Sequence, residues 1–475
     1  MSFRFDSFDG TDQVFPLRGG QPPIVLEADG MRHPRSARSS AQVLTRYEDL
    51  THLVASARVL WIGARDSVYV LPRGNFARFD APERLLDRLL ARVGELPGGG
   101  EQLARMSRVD ETSRNGNVPR ATWTLMLACG LVYVVQLVAG FRVTLAGHYS
   151  PVLVEDGDVW RILTANLLHA QGWPVGYAHI ALNLLALLAL GTLVERPLGS
   201  ARTACVMAAA GVGSMVTQGW FGNTMVVGVS GIVFGLAGAM LWLDYRRAEE
   251  LPAFWRFPRR NLLVLLAING LLGLIVPFIA LAAHLGGLLV GAVAAAVVTG
   301  RILVKPPLWI QATCGLVVLA TALSVSTAGM DAFAGGDTAA RYAKRWARLP
   351  GISPAQLNDH AWMIATSRDP SREELEAALL LAERAVLETD RSEATILDTL
   401  AEVQFAMGMN DAAIETIDEA IVRDPEDSYY REQRRRFIGE RDPDDRPDYV
   451  PPLFRSPREA PAAEPADSNS PGLTV

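Results

Sequence analysis

Between residues 121 and 328 the chain carries seven apolar stretches, near 121–142, 176–195, 201–220, 229–245, 261–277, 278–300 and 308–328. Each comes close to the ~20 residues that a helix needs to cross a hydrocarbon core of ~30 Å. A backbone in hydrocarbon must satisfy its own N–H and C=O groups, so segments of this kind fold as helices. The middle of the chain is therefore expected to be an all-α polytopic membrane protein, with the fifth and sixth stretches almost touching at Pro277. The formal net charge of -6 leaves no basic footprint for nucleic acid. Cys129, Cys205 and Cys314 all fall inside apolar runs and read as small helix residues, not as a disulfide framework. The first thirty residues are polar and lack the apolar core of a secretory signal. No cofactor or metal is expected.

Basic residues in short connections set orientation, because they stay in the cytoplasm. Arg114 and Arg120 precede the first stretch, and Arg196 and Arg202 separate the second from the third. Arg246, Arg247, Arg256, Arg259 and Arg260 separate the fourth from the fifth, and Arg301 and Lys305 follow the sixth. Every second connection is thus basic. Arg142 and Arg161, and the cluster Arg341, Lys344 and Arg345, pull the other way and are outnumbered. The expectation is a multi-pass protein of the cell (inner) membrane, with a cytoplasmic N-terminus and, after seven spans, an extracytoplasmic C-terminus.

Polar segments flank the membrane region. In residues 1–118, "SARVLWIGARDSVYVLPRGNFARF" alternates like paired strands, and "APERLLDRLLARVGEL" is an amphipathic helix. Strands followed by one helix loosely resemble a bacterial pleckstrin-homology-like module; the alternative is an unassigned small α+β domain. Further on, "AALLLAERAV" (377–386) matches "AAIETIDEAI" (412–421) at an offset of 35, each preceded by a second helix, "DHAWMIATS" and "ILDTLAEVQFAMG". A helix pair recurring at this period resembles tetratricopeptide repeats, whose concave surface would suit a protein or peptide ligand. The alternative is a plain bundle of helical hairpins. From Glu440 the chain is rich in Pro, Asp, Glu and Arg and is expected to be disordered. The expected division is 1–118 (α+β), 119–303 (six-helix core), 304–330 (seventh span), 331–430 (helical repeats) and 431–475 (tail).

Within the oily region, "VVGVSGIVFG" (226–235) has Ser230 as its one polar side chain, with Gly228, Gly231 and Gly235 around it. Gly231 and Gly235 share a helix face, and small residues at that spacing let two helices approach closely. By itself that is a packing motif. The sixth stretch adds "AHLGGLLVG" (283–291), where His284 is the one ionisable residue, on the same face as Gly287 and Gly291. Ionisable groups at membrane depth are costly and usually functional. If the two glycine faces meet, the imidazole comes to the Ser230 hydroxyl, and a serine becomes a nucleophile when a base stands beside it. In "HIALN", His179 and Asn183 lie at i and i+4 and can both donate hydrogen bonds. With the unpaired N–H groups of a helix starting at Ser230, they could hold a negative oxygen. Alone, the pair would read as interhelical glue.

In this order and spacing, Trp160–Arg161, "HIALN", "GVSG" and "AHLGGLLVG", together with the Gly-xxx-Glu-xxx-Gly pattern of Gly191, Glu195 and Gly199, resemble the rhomboid family of intramembrane serine proteases. The resemblance covers about residues 120–300 and implies a six-helix core with a Ser–His dyad and no third acid. It implies Ser230 as nucleophile, His284 as general base, and an oxyanion hole of His179, Asn183 and the Ser230 N–H. Trp160 and Arg161 would lie in the first outer loop, partly within the membrane, and Glu195 would be structural. Implied partners are transmembrane protein substrates and the lipid bilayer. Three features depart from the family pattern: Phe234 where several members have tyrosine, a long stretch between His169 and His179, and the very apolar "VPFIALAA" before His284. Two other functions compete. A non-proteolytic binding or quality-control protein for membrane clients would not need both Ser230 and His284. A transporter would need ionisable groups along a path through the bundle.

Overall fold

The computed structural model describes residues 13–36, 39–114, 118–172, 174–221, 225–275, 280–300, 302–334, 337–367 and 369–447. The N-terminal segment opens with two antiparallel sheets. In the first, β1 (Val14–Phe15), β2 (Ile24–Leu26), β3 (Gly30–Pro34) and β4 (Gln42–Arg46) lie in sequence order. In the second, β5 (Leu50–Ala55), β6 (Val59–Ala64) and β7 (Val68–Pro72) form a meander. The alternating stretch singled out in the sequence supplies β6 and β7. Two helices follow, α1 (Ala81–Gly94) and α2 (Gly99–Arg114), where the sequence pointed to one. Leu85 and Leu89 of α1 are buried against Phe15, Ile24, Met31, Leu60 and Ile62. The Gln102 side chain of α2 donates to the Tyr47 and Leu50 carbonyls at 2.7 and 3.0 Å, which fastens the second helix to the strands. The first sheet was missed because its strands are short and interrupted by Gly19–Gly20 and Pro22–Pro23.

This module has an acid-sensitive element. His52 of β5 stacks edge-on against Phe254 at 4.9 Å, and burial pushes its imidazole from 6.5 down to about 4. The unfolded chain therefore takes up a proton near pH 6.5 that the folded module refuses. The stability that neutral His52 contributes is complete above pH 6.5 and is lost as the pH falls towards 4. In an acid unfolding series followed by circular dichroism, His52→Leu should flatten this interval by about one proton, ~1.4 kcal/mol per pH unit. An unchanged slope would show that His52 does not carry it.

The apolar region forms a helical bundle. α3 (Arg120–Ala139) leads into a connection holding the short helices α4 (Phe141–Gly147), α5 (Pro151–Glu155) and α6 (Arg161–Thr164). Then come α7 (Val175–Leu198), α8 (Ser200–Phe221), α9 (Ser230–Arg247), α10 (Arg259–Ile275), α11 (Leu281–Val298) and α12 (Leu308–Ala332). Among the described residues, 6 helices are long and apolar enough to cross a membrane: 120–139, 175–198, 200–221, 253–275, 281–298 and 308–332. Six of the seven stretches expected from the sequence meet this measure. The helix that falls short is α9, which carries Asp244, Arg246 and Arg247 near its end. Pro277 lies outside the described residues.

α9 packs on α7, α8 and α11, and α8 also packs on α12. α10 is loosely held, and Leu262 is its one buried position among the described residues. Glu195 explains why α3 begins where it does. Its carboxylate accepts from the Ala121 and Thr122 N–H groups at 2.8 and 2.9 Å and from the Thr122 hydroxyl at 2.7 Å. A carboxylate there satisfies donors that the first turn leaves unpaired. Gly191 lies against Thr122, and Gly199, at φ +78°, turns the chain from α7 into α8 in a conformation that favours glycine.

From Ala339 the described residues form a second compact unit. α13 (Thr338–Trp346) leads to it, followed by α14 (Pro354–Ala365), α15 (Arg372–Glu388), α16 (Ala394–Ala406), α17 (Asn410–Arg423) and α18 (Ser428–Phe437). Ser353 and Ser371 cap α14 and α15 through reciprocal bonds with Gln356 and Glu374. Each helix from α14 packs on the next, and α14 also packs on α16. Two boundaries move. The first unit runs to Thr338, and the end expected at 430 falls inside α18, whose Tyr430, Gln433 and Phe437 are buried. The tail expected to be disordered from 440 is described as far as 447; its remaining residues lie outside the described set.

Candidate active site

Ser230 is the first residue of α9, so its N–H belongs to the unpaired set at a helix N-terminus. The chain reaches it in an extended segment. Tyr149 and Val226 exchange backbone hydrogen bonds of 3.0 and 3.1 Å, and the Gly228 N–H donates to the Ala165 carbonyl at 2.9 Å. The connection between α3 and α7 therefore fixes the approach to Ser230. Gly228 has φ +127°, a conformation that favours glycine. A side chain there would also press on the His179 ring, 3.1–3.2 Å away.

His284 lies on the first turn of α11, and its Nε2 is 2.9 Å from Ser230 Oγ. The ring stacks on Phe234, with centroids 4.2 Å apart and planes at 10°. Loss of a tyrosine hydroxyl thus leaves a flat aromatic face under the imidazole. His284 Nδ1 is buried and has no hydrogen-bond partner among the described residues. Among the described residues no carboxylate orients the ring; Phe234 and the helix do so. The Ala283 N–H, one residue earlier, donates to Gln218 Oε1 of α8 at 3.2 Å and ties down this end of α11.

The glycines explain how the two residues meet. A Cβ on Gly287 would run into the Gly231 carbonyl, and one on Gly291 into the Gly235 backbone. A Cβ on Gly231 would strike Ser214, and one on Gly235 would strike Ala210 of α8. The backbones of α9 and α11 are in direct contact, at a separation that no side chain could enter.

His179 stands on the other side of Gly228. The Ala170 N–H donates to His179 Nδ1 at 3.3 Å, so Nδ1 is the acceptor and the ring proton sits on Nε2. The imidazole is a neutral donor with Nε2–H on the Gly228 side. Asn183, on the next turn, donates one amide hydrogen to the His179 carbonyl at 3.0 Å and keeps a second.

Trp160 and Arg161 do not reach the serine. Arg161 is fully buried; it pairs with Asp158 at 2.8 Å and donates to the Leu145 and His148 carbonyls at 2.7 and 3.0 Å. Trp160 Nε1 donates to the Ala146 carbonyl at 3.1 Å. They pin the loop that holds the Ser230 approach. Gln136 of α3 does similar work and was missed in the sequence. Its amide donates to the His169 carbonyl at 3.0 Å and accepts from the His169 N–H at 3.1 Å. A lone amide in an apolar helix was the available signal for Gln136 and for Gln218. Among the described residues no group of His, Cys, Asp and Glu could hold a metal ion.

Similarity to known proteins bears on this arrangement. A family model described as "Rhomboid domain" matches residues 156–301. The chain is 37% identical over 144 residues to the rhomboid protease GluP of Bacillus subtilis (strain 168), covering 30% of this chain and 27% of that protein. It therefore spans about a quarter of the length of that relative. It is also 31% identical over 221 residues to the rhomboid protease GlpG of Salmonella newport (strain SL254), covering 42% of this chain and 76% of the relative. The same values hold for GlpG of Salmonella typhimurium (strain LT2).

Proposed function

The chain belongs to the rhomboid family of intramembrane serine proteases, and from that premise we infer that Ser230 and His284 are its catalytic nucleophile and general base. The reaction is hydrolysis of a peptide bond in or beside a transmembrane segment. The observation that carries the assignment is the 2.9 Å approach of His284 Nε2 to Ser230 Oγ.

The chemistry follows from the geometry. Ser230 Oγ attacks the carbonyl carbon of the substrate while His284 Nε2 takes its proton. The carbonyl oxygen becomes negative and is held by His179 Nε2–H, the second Asn183 amide hydrogen and the Ser230 N–H. The tautomer set by Ala170 supports this role for His179. When the C–N bond breaks, the imidazolium returns the proton to the departing amine, leaving Ser230 acylated. Water then attacks the ester; His284 takes a proton from it and passes the proton to Ser230 Oγ as the acid product leaves. His284 gains a positive charge in both transition states, and the Phe234 face beside it favours a cation.

Asn183→Ala should slow the chemical step and leave substrate binding largely unchanged. Removing one oxyanion donor typically costs ~10²–10³ in rate, and His179 with the backbone N–H should keep the loss at the lower end. Single-turnover cleavage of a single-span substrate in lipid vesicles, beside a binding isotherm, separates the two effects. Lost binding with an unchanged chemical rate would make Asn183 structural.

The finer reading extends to topology. We take α9 as a seventh span, its charged end lying at the basic cytoplasmic surface and Ser230 at the opposite end. The helix then carries the nucleophile to the extracytoplasmic half of the membrane, and the C-terminal unit lies outside the cytoplasm. The alternation of basic connections supports this. The recurring helix pairs support a short tetratricopeptide-like unit as an accessory to the protease. A reporter active only outside the cytoplasm, fused after Val475, tests the arrangement; a silent reporter on a stable fusion places that unit inside the cell.

A further inference from the structure

In the second compact unit, α16 and α18 meet across a buried polar cluster. The Asp398 carboxylate accepts from the Tyr429 hydroxyl and the Gln433 amide, both at 3.2 Å. Glu402, one turn further on, is 1% exposed and its two oxygens are used differently. Oε2 pairs with Arg436, a buried residue of α18 whose guanidinium lies 5.1 and 5.0 Å from the rings of Phe405 and Phe437. Oε1 accepts from Nε and Nη2 of Arg446 at 3.1 and 2.8 Å. Arg446 belongs to no helix or strand and lies nine residues beyond the end of α18. Its guanidinium also stands 5.9 Å from the ring of Trp362, on α14. Three helices thus build a seat with an aromatic wall and one free carboxylate oxygen, and a guanidinium from the tail fills it.

We propose that the Glu402–Trp362 seat is a binding site for an arginine in an extended segment of a partner protein, and that Arg446 holds it closed as a tethered stand-in. The chemistry selects a guanidinium. A carboxylate beside an aromatic face suits a flat cation that can donate two hydrogen bonds and stack. With Arg446 in place Glu402 is 1% exposed, and a guanidinium that leaves its Oε1 gives up two charge-assisted hydrogen bonds that a second guanidinium can restore. The resident one is replaceable. Among the described residues no backbone hydrogen bond holds residue 446, and its side chain is 34% exposed where that of Glu402 is 1% exposed. Arg436 is different: it is buried in the packing of α18 and stays when the tail leaves. A short tether presents Arg446 at an effective concentration in the millimolar range. A competing segment must therefore be abundant or make further contacts, which makes the seat selective. This assignment is independent of the chemistry at Ser230.

The test uses the full chain in detergent micelles and a fluorescent synthetic peptide of residues 440–447, with the same peptide carrying Arg446→Ala as control. The full-length Arg446→Ala protein, whose seat is vacated, should bind the wild-type peptide ~10-fold or more tightly than the parent chain does. It should ignore the control peptide. Adding Glu402→Gln to Arg446→Ala should abolish binding. Because Glu402→Gln could disturb the fold, Trp362→Ala at the half-buried wall serves as a second variant and should weaken the peptide while circular dichroism stays unchanged. If the Arg446→Ala protein binds the peptide no better than the parent, or binds both peptides alike, Arg446 is a structural brace and the proposal fails.

Discussion

Replacing Ser230 by alanine is expected to lower cleavage of a membrane-spanning substrate by a factor on the order of 10⁶, the loss typical when a serine protease is deprived of its nucleophile. The fold should survive. Ser230 Oγ has His284 as its hydrogen-bond partner, and alanine is accepted at the first position of a helix between two glycine-rich backbones. The variant should enter the membrane in normal amounts and unfold at the parent temperature. Initial rates in lipid vesicles check the first point and thermal unfolding in detergent the second. Cleavage at the parent rate would remove Ser230 from the mechanism.

Gly287→Leu should be nearly as damaging although it touches no reacting atom. A Cβ at this position already runs into the Gly231 carbonyl, and leucine adds three more carbons. α11 must then move away from α9 and carry His284 with it. Misplacement of a catalytic group by about 1 Å can cost ~10² in rate, and the displacement here should exceed that, so a loss of at least ~10² is expected. Gly130 is a fitting control, because a Cβ there meets nothing; Gly130→Leu should retain activity. A Gly287→Leu protein as active as the parent would mean that the contact between α9 and α11 does not position the dyad.

The site was legible to the extent that rare residues mark it. In a helix made of leucine, valine and alanine, a histidine or a serine is conspicuous. Glycines spaced by four reveal a face where backbones can touch. Ser230, His284, Gly287 and Gly291 could therefore be found from the chain alone, and the structure brings them together. Glu195 was visible as part of a pattern, but its task of closing the start of α3 was not, since the partners are main-chain N–H groups 73 and 74 residues away. The same holds for the Ala170 N–H that fixes the His179 tautomer and for the Tyr149–Val226 bridge that shapes the approach to Ser230. Backbone donors carry no signature in side-chain identity, so contacts of this kind stay hidden in a sequence.

Apolar counting picked out α9 from the sequence, and in the structure it is packed on α7, α8 and α11 with Asp244, Arg246 and Arg247 near its end. Asp244 is paired there with Arg256 at 2.9 Å, and Arg247 with Glu250 at 2.7 Å. At the C-terminus, a run of Pro, Asp and Arg was read as unstructured, although Arg436 holds the Pro443 carbonyl at 3.0 Å and Arg446 reaches Glu402. Charge-rich composition argues against a hydrophobic core; it says little about a segment fastened by one or two arginines to a carboxylate on a neighbouring helix.

The central claim is that Ser230 is a nucleophile because His284 stands against it. Treating the intact protein in membranes with a fluorophosphonate probe and locating the adduct by peptide mass spectrometry tests this directly. The expected result is a single modified residue, Ser230, with labelling lost in Ser230→Ala and reduced to background in His284→Ala. An adduct on a different residue, or labelling of Ser230 that proceeds equally well without His284, would contradict the account.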